Sequence, residues 1–303
     1  MLSSSLGILE IIRELKAQAK MAVRLSQAFA NVATNALPAY PNPHGNAHAN
    51  MSGDSTRDTD PPYFSITAQP RHPVHQNWDA LGTAAVANIP GIAAAGHALN
   101  RELIYFNEPA TYHNSEGDVV RSAAQYLLHP VNQVLSSHAG ALMRCQSEAT
   151  ANRVRSDITY YRGPNAQNPA FKAFAVIEFK KRGVIKQTEF AAIRHRVQPS
   201  AAQVQATITA ALATANETYF GGDALVLIKQ AASYAIAHRT PFVALFDWDF
   251  LLLVHFTEMA ITANITDVGN FCELDIIPNA QSQRMRAALL GFLAHAYNNA
   301  PIV

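Results

Sequence analysis

Apolar residues recur every three or four positions in the first 36 residues of the chain, with charged residues between them. The positions that carry this pattern are Leu9, Ile12, Leu15, Ala19 and Val23. A period near 3.6 residues is typical of an amphipathic helix, so we predict such a helix over residues 1–36. We expect it to pack on its own domain, on a second copy of the chain or on another partner.

The same segment is a poor targeting signal. Glu10 interrupts its apolar stretch, and Arg13 and Glu14 follow closely, whereas a secretory leader needs an unbroken apolar core. The two acids also disfavour a mitochondrial presequence, although they do not exclude one. We therefore expect an intracellular protein, nuclear or cytoplasmic.

Residues 37–73 lack periodicity and are rich in Pro, Asn, His, Ser, Gly and Asp. This composition is typical of a linker or an irregular surface loop. We predict that the folded domain covers residues 74–303.

A regular pattern begins at Ser115, the predicted N-cap of a helix whose apolar residues continue to about residue 142. Pro130 should bend or divide that helix. Residues 154–163 and 171–182 are rich in β-branched and aromatic residues and are separated by a turn sequence. They predict a β-hairpin.

Helices are predicted over residues 200–215 and 223–238, and a final helix over about residues 282–297. Between them, residues 242–246 and 250–256 are short apolar runs typical of strands. This order predicts an α/β or α+β fold with a mixed central β-sheet flanked by helices, preceded by an N-terminal helical extension.

The two predicted strands 242–246 and 250–256 are joined at Asp247-Trp248-Asp249. Asp is a frequent turn residue because its carboxylate accepts hydrogen bonds from nearby backbone N–H groups. We therefore interpret Asp247 and Asp249 as turn residues rather than as a metal site.

With 303 residues, of which 49% are hydrophobic and 15% charged, the chain has the composition of a globular protein. Its net charge of +1 gives no field over the whole molecule that would attract nucleic acid or membranes. Two cysteines, Cys145 and Cys272, allow at most one disulfide. The most apolar window, residues 241–256, is too short for a membrane span of about 20 residues, so we expect no membrane partner.

The basic residues are concentrated in one segment. Between Arg144 and Arg196 there are eleven Lys and Arg against four acids, so this segment carries a net charge of +7 and the rest of the chain −6. A local basic surface of this kind suits a phosphate backbone. Tyr160 and Tyr161 lie within it and could stack on bases. Because side chains alternate along a strand, we expect one of the two to lie in the core instead.

Acidic residues of the predicted hairpin provide the candidate chemistry. Side chains alternate along a strand, so Glu178 and Lys180 should share one face, and the hairpin should bring Asp157 close to Glu178. Two converging carboxylates repel each other unless a hard divalent cation lies between them, and their oxygens suit Mg²⁺ or Mn²⁺. The alternative is a structural salt bridge between Glu178 and a neighbouring basic residue.

Ser156-Asp157 followed by Glu178-Phe179-Lys180 resembles the PD-(D/E)xK nuclease superfamily, with Ser156 where the family has Pro. Within it, the chain looks most like fungal nuclease-like families and Crinkler-type effector domains. The resemblance covers about residues 115–256 and implies a restriction-endonuclease-like core. It also assigns Glu116 on the preceding helix, and Gln230, in a Gln-x-x-x-Tyr setting with Tyr234, on the following helix.

The resemblance implies metal-dependent hydrolysis of a phosphodiester in nucleic acid, with DNA favoured over RNA. Asp157, Glu178 and the Phe179 carbonyl would hold Mg²⁺ or Mn²⁺, and Lys180 would orient the attacking water or stabilise the transition state. Glu116 would complete a second metal site, and Gln230 would position the water or a phosphate. Basic residues around this site are the expected contacts to nucleic acid: Arg153, Arg155, Arg162, Lys181, Arg182 and Lys186.

Two other functions stay open. One is a nuclease-fold effector module that binds nucleic acid or protein on the same basic face without cleaving it. The other is a structural interaction protein that assembles through its N-terminal helix. The sequence has no P-loop, dinucleotide-binding glycine motif, G-x-S-x-G or H-E-x-x-H, so nucleotide hydrolysis, redox, serine hydrolase and zincin functions have no support.

Overall fold

A seven-stranded mixed β-sheet forms the centre of the part of the chain that the computed structural model describes. The described residues are 37, 67–70, 78–89, 113–139, 143–164, 170–193, 202, 222–262, 265, 268–269 and 271–301. The predicted N-terminal helix over residues 1–36 and nearly all of the predicted helix over residues 200–215 lie outside them.

The strands, in chain order, are β1 (Thr67–Pro70), β2 (Met143–Ala151), β3 (Val154–Arg162), β4 (Lys172–Phe179), β5 (Phe242–Phe246), β6 (Phe250–His255) and β7 (Phe271–Pro278). Their order across the sheet is β1-β7-β6-β5-β4-β3-β2. β4 pairs with β5, and β1 with β7, in parallel, and the other neighbours are antiparallel. The predicted mixed sheet is confirmed, and it includes β1, at the end of the segment predicted as linker.

The helices are α1 (Trp78–Ala87), α2 (Glu116–Ala123), α3 (His129–Ala139), α4 (Gly222–His238) and α5 (Ser282–Asn299). Apolar side chains form one cluster between the sheet and α4, and a second cluster on the opposite face with α1, α2, α3 and α5. The central strands therefore bury both faces. This explains why β5 is the unbroken apolar run Phe242–Phe246 rather than an alternating one.

Ser115 caps α2 as the sequence predicts. Its Oγ accepts a hydrogen bond from the Asp118 N–H at 3.2 Å, and Asp118 Oδ2 accepts one from the Ser115 N–H at 2.9 Å. This reciprocal pair is a capping box, which satisfies two N–H groups at the helix end.

Pro130 divides the predicted long helix as expected. A π-helical segment, Ala124–Leu128, separates α2 from α3. Because proline has no N–H, the Tyr126 carbonyl four residues earlier loses its helical donor. The buried Arg286 of α5 supplies a replacement, since its Nε donates to that carbonyl at 2.6 Å.

Strand β4 departs from strict alternation at Phe174. Tyr160 pairs with Ala175 and Tyr161 with Ala173, so Phe174 is an extra residue, a β-bulge. Strict alternation along β4 would put Phe174 on the same face as Val176 and Glu178, and the bulge prevents this. Phe174 packs on the opposite cluster while Val176 packs towards α4.

The sequence allowed a disulfide between Cys145 and Cys272, but both cysteines are free. Cys145 is exposed on β2 and Cys272 is buried in β7. They contribute no covalent link to the fold.

Helices α1 and α5 approach closely at two glycines. A Cβ atom added to Gly82 would overlap the Ala287 carbonyl oxygen, and one added to Gly291 would overlap the Trp78 carbonyl oxygen. Both obstacles are backbone atoms, which side-chain rotation cannot move. The contact therefore requires glycine at both positions.

We expect Gly82→Ala to lower the free energy of unfolding by about 2 kcal/mol or more, because the helices must separate to admit the methyl group. Gly117→Ala is the matched control, since a Cβ at Gly117 would meet only Ser115 Oγ at 3.7 Å. It should leave stability unchanged or raise it by up to about 1 kcal/mol. Urea denaturation measures both, and equal effects would contradict the close contact.

Burial lowers the pKa of His238 to about 4, and its Nε2 has no hydrogen-bond partner among the described residues. In the unfolded chain the imidazole takes up a proton near pH 6.5, so the folded state loses stability as the pH falls from about 6.5 to 4. We expect His238→Leu to remove about 2–4 kcal/mol of this acid destabilisation. Denaturation at pH 7 and at about pH 4.5 checks it, and a pH dependence identical to that of the native chain would refute the assignment.

Candidate functional site

Asp157 and Glu178 lie on adjacent strands and on the same face of the sheet. In the β3/β4 ladder Ile158 pairs with Ile177, and one further residue sets Asp157 opposite Glu178. Each carboxylate accepts a hydrogen bond from the opposite strand. The Phe179 N–H donates to Asp157 Oδ2 at 2.7 Å, and the Asp157 N–H donates to Glu178 Oε2 at 3.3 Å.

Lys180 follows β4 directly and completes the central group. Its Nζ lies 2.7 Å from Glu178 Oε1, and the two side chains are only 7% and 8% exposed. The Lys180 backbone N–H donates to the Phe246 carbonyl of β5 at 2.9 Å. The residue is therefore fixed where the parallel strands β4 and β5 end.

Helix α4 covers Glu178 with two polar side chains. The Tyr234 hydroxyl lies beside the Glu178 carboxylate, and Gln230 Nε2 donates to that hydroxyl at 2.8 Å. Burial and the Glu178 carboxylate both raise the pKa of Tyr234, so it stays a neutral donor. Gln230 Oε1 is buried with no hydrogen-bond partner in the described part of the chain.

Burial is the main cause that raises the pKa of Asp157 to about 6, and the facing Glu178 carboxylate raises it further. The Phe179 N–H, Lys180 and Arg155 oppose this shift. Ionisation of Asp157 therefore costs free energy, and a nearby cation would reduce that cost.

Glu116 is the first residue of α2, a helix that contacts β4. Its side chain is exposed, yet partial desolvation raises its pKa, Lys180 lowers it and Asp157 raises it further. The structure thus brings Glu116 into the electrostatic field of the site. No hydrogen bond between Glu116 and the central residues is observed in the described structure.

The donors suit a small, hard divalent cation. Asp157 and Glu178 present carboxylates on one face, and Mg²⁺ is commonly bound by one or two carboxylates while it keeps several waters. Within the described ranges, no group of three or more His, Cys, Asp and Glu side chains could hold one ion. Such an ion would thus depend on these two carboxylates, on the Phe179 carbonyl, and on water or substrate oxygens.

The predicted nucleic-acid contacts divide into two groups. Arg153 and Arg155 are exposed at the β2–β3 hairpin, where Arg155 pairs with Glu148 at 2.6 Å. Lys181 is half-buried directly after Lys180. These three residues lie close to the acidic pair in the chain.

The other three basic residues have internal partners. Arg162 lies at the far end of β3 and donates to the Tyr297 carbonyl in the last turn of α5 and to the Ala300 carbonyl just after it. Arg182 pairs with Asp249 at 2.8 Å, and Lys186 with Asp223 at 2.6 Å. The structure uses these cations to hold its own elements together.

Asp247 supports the loop that follows Lys180. Its Oδ1 accepts the N–H groups of Asp249 and Phe250, which is the expected turn, and its Oδ2 accepts the Ile185 N–H at 2.7 Å. Burial raises the pKa of Asp247 to about 8, and these three N–H donors oppose the shift. The Ile185 contact crosses 62 residues, so the local sequence pattern gave no signal for it.

His113, for which the sequence indicates no partner, is buried beside this turn. Its Nε2 lies 2.9 Å from Ser122 Oγ, and its ring packs against Trp248 at 4.6 Å between centroids. Burial lowers its pKa to about 4. The ring is therefore neutral and joins α2 to the β5–β6 turn.

Comparisons of the chain with protein-family models, curated proteins and solved structures find no match. Among the helices in the described ranges, none has the length and hydropathy needed to cross a bilayer.

We expect Tyr234→Phe to lower the free energy of unfolding by about 1–2 kcal/mol, because Glu178 loses a donor and Gln230 loses its acceptor. A double-mutant cycle with Gln230→Met tests whether the two residues act as one network. Denaturant unfolding should give a coupling energy above about 0.5 kcal/mol. Additive losses would contradict the relay from Gln230 through Tyr234 to Glu178.

Proposed function

We propose that this protein hydrolyses phosphodiester bonds in nucleic acid with the help of a divalent cation, Mg²⁺ or Mn²⁺, and that DNA is preferred over RNA. The observation that carries the proposal is the juxtaposition of Asp157, Glu178 and Lys180 at one end of the sheet, with Lys180 Nζ 2.7 Å from Glu178 Oε1. A carboxylate pair with an adjacent amine suits metal-assisted phosphoryl chemistry.

The surrounding elements support the same proposal. The acidic residues lie on consecutive antiparallel strands, α2 precedes them with Glu116, and α4 follows them with Gln230. This is the arrangement that the resemblance to PD-(D/E)xK nucleases implies. It favours a restriction-endonuclease-like core over about residues 115–256.

Asp157, Glu178 and the Phe179 carbonyl would hold the ion. A bound divalent cation would polarise a phosphoryl oxygen and lower the pKa of its water. Lys180 places an ammonium group beside the same carboxylates, and this group can donate to a phosphate oxygen as negative charge develops. Gln230 Oε1 has no hydrogen-bond partner among the described residues, and it is an acceptor that can orient a water proton.

Charge supports nucleic acid as the substrate. The segment from Arg144 to Arg196 has eleven basic and four acidic residues. Of its exposed arginines, Arg155 lies on the strand that carries Asp157, and Arg153 lies in the turn just before it. Arg155 acts electrostatically on Asp157. These arginines would place positive charge beside the proposed site of cleavage, where it can attract the neighbouring phosphates of a bound strand.

A non-cleaving effector module that binds nucleic acid or protein is the second candidate. The observation that favours it is the ion pair of Glu178 with Lys180, which neutralises the carboxylate without a metal ion. Such a protein would keep the basic surface and bind without turnover.

The experiment is to incubate the full chain with plasmid, single-stranded DNA and RNA in Mg²⁺ or Mn²⁺. We expect cleavage, and we expect Asp157→Asn and Lys180→Met each to reduce the rate by about 100-fold or more, because each removes a group that acts in the transition state. Lys172→Met removes the same charge at the other end of β4 and should retain the native rate.

Circular dichroism must show that the variants are folded. Salt-sensitive binding without product in the native chain supports the non-cleaving module. Cleavage that persists unchanged in both site variants refutes the proposed site.

A further inference from the structure

The chain itself places a hydrogen-bond donor on each oxygen of the Glu178 carboxylate. Lys180 Nζ lies 2.7 Å from Oε1, the Asp157 N–H donates to Oε2 at 3.3 Å, and the Tyr234 hydroxyl is a third donor group beside the carboxylate. The carboxylate is 8% exposed, so water cannot replace these donors freely. A cation that binds Glu178 would therefore compete with these donors for the carboxylate oxygens.

The three donors differ in their freedom to leave. The Asp157 N–H is fixed in β3, and Tyr234 is held in the buried face of α4 by Gln230. Lys180 reaches Glu178 through a flexible four-carbon side chain. The ammonium is also the only one of these three donors that carries a full charge, so it is the one that a cation would repel.

We propose that the Lys180 ammonium is an internal counter-ion of the site and competes with a divalent cation for the Glu178 carboxylate. The inference rests on the proposed function for the cation, and extends it: Lys180 would leave Glu178 when the cation binds. The released ammonium would then face the phosphate or the water rather than the carboxylate.

The exchange has a consequence for the protein without cations. When Lys180 is removed, Asp157 and Glu178 remain as two facing carboxylates, and none of the ion pairs seen among the described residues supplies another positive charge in contact with them. Their repulsion destabilises the end of the sheet. A divalent cation should restore more stability to such a variant than to the native chain.

Calorimetric titration with Mn²⁺ alone, and thermal unfolding with and without Mn²⁺, test the proposal without any substrate. We expect Lys180→Met to bind Mn²⁺ at least about tenfold more tightly than the native chain, because the competitor is gone. Its melting temperature should be lower than the native one without Mn²⁺ and should rise more when Mn²⁺ is added.

Lys181→Met is the matched control because it removes the same charge one residue further along. It should change Mn²⁺ affinity by no more than about threefold, the effect of a nearby charge that is not in contact with the ligand. Lys180→Gln is a second variant, which retains an N–H donor for Glu178 if Lys180→Met fails to fold. It should give the same direction of change.

The outcomes separate the two proposals. The counter-ion exchange is overturned if the native chain and both Lys180 variants bind Mn²⁺ with equal affinity. It is also overturned if the Lys180 and Lys181 variants gain equally. Neither result contradicts the proposed cleavage activity. Weaker Mn²⁺ binding in the Lys180 variants also overturns it. If no form of the protein binds Mn²⁺, the exchange and the metal-dependent function fail together.

Discussion

Two like charges that face each other across neighbouring strands are the constraint on which the site depends. Asp157 and Glu178 are held together by the β3/β4 ladder, and everything around them limits their repulsion. Phe179 and Asp157 supply backbone N–H donors, Lys180 supplies a positive charge, and Tyr234 supplies a neutral donor. A buried carboxylate without such partners would take up a proton. The geometry of the β3/β4 ladder therefore holds the two carboxylates close together, and the surrounding donors offset their electrostatic repulsion.

The parallel pairing of β4 with β5 brings several chain segments to the same end of the sheet. β4 ends at Phe179 and β5 at Phe246, so the loop after Lys180 meets the turn before β6. Asp247 joins them by accepting the Ile185 N–H. Helix α4, which must cross over the sheet to connect the two parallel strands, lays Gln230 and Tyr234 over the same residues. The chemistry is thus concentrated where strand ends, a crossover helix and a turn converge.

Sequence reasoning predicted the parts that depend on local pattern. The spacing of Asp157 and Glu178, the Ser115 cap, the break at Pro130 and the strands on either side of Asp247 all follow from periodicity or turn chemistry. The edge strand β2 did not, because its side chains are mostly exposed and polar and so lack an apolar alternation. The structural roles of Arg162 and Lys186 depend on partners distant in the chain. The sequence shows that a position holds Lys or Arg, but it does not show whether that side chain contacts a phosphate or the end of a helix.

The β-bulge at Phe174 divides β4 into two halves that are out of phase. Side chains after the bulge keep Glu178 towards α4, while Phe174 itself packs with Tyr160 and Tyr297 on the other face. The buried Thr240 hydroxyl donates to the Phe174 carbonyl at 2.6 Å and so satisfies it. Deletion of the extra residue would shift one half of β4 by one position against β3, and a shift that moved the second half would turn Glu178 away from α4 towards the opposite face of the sheet.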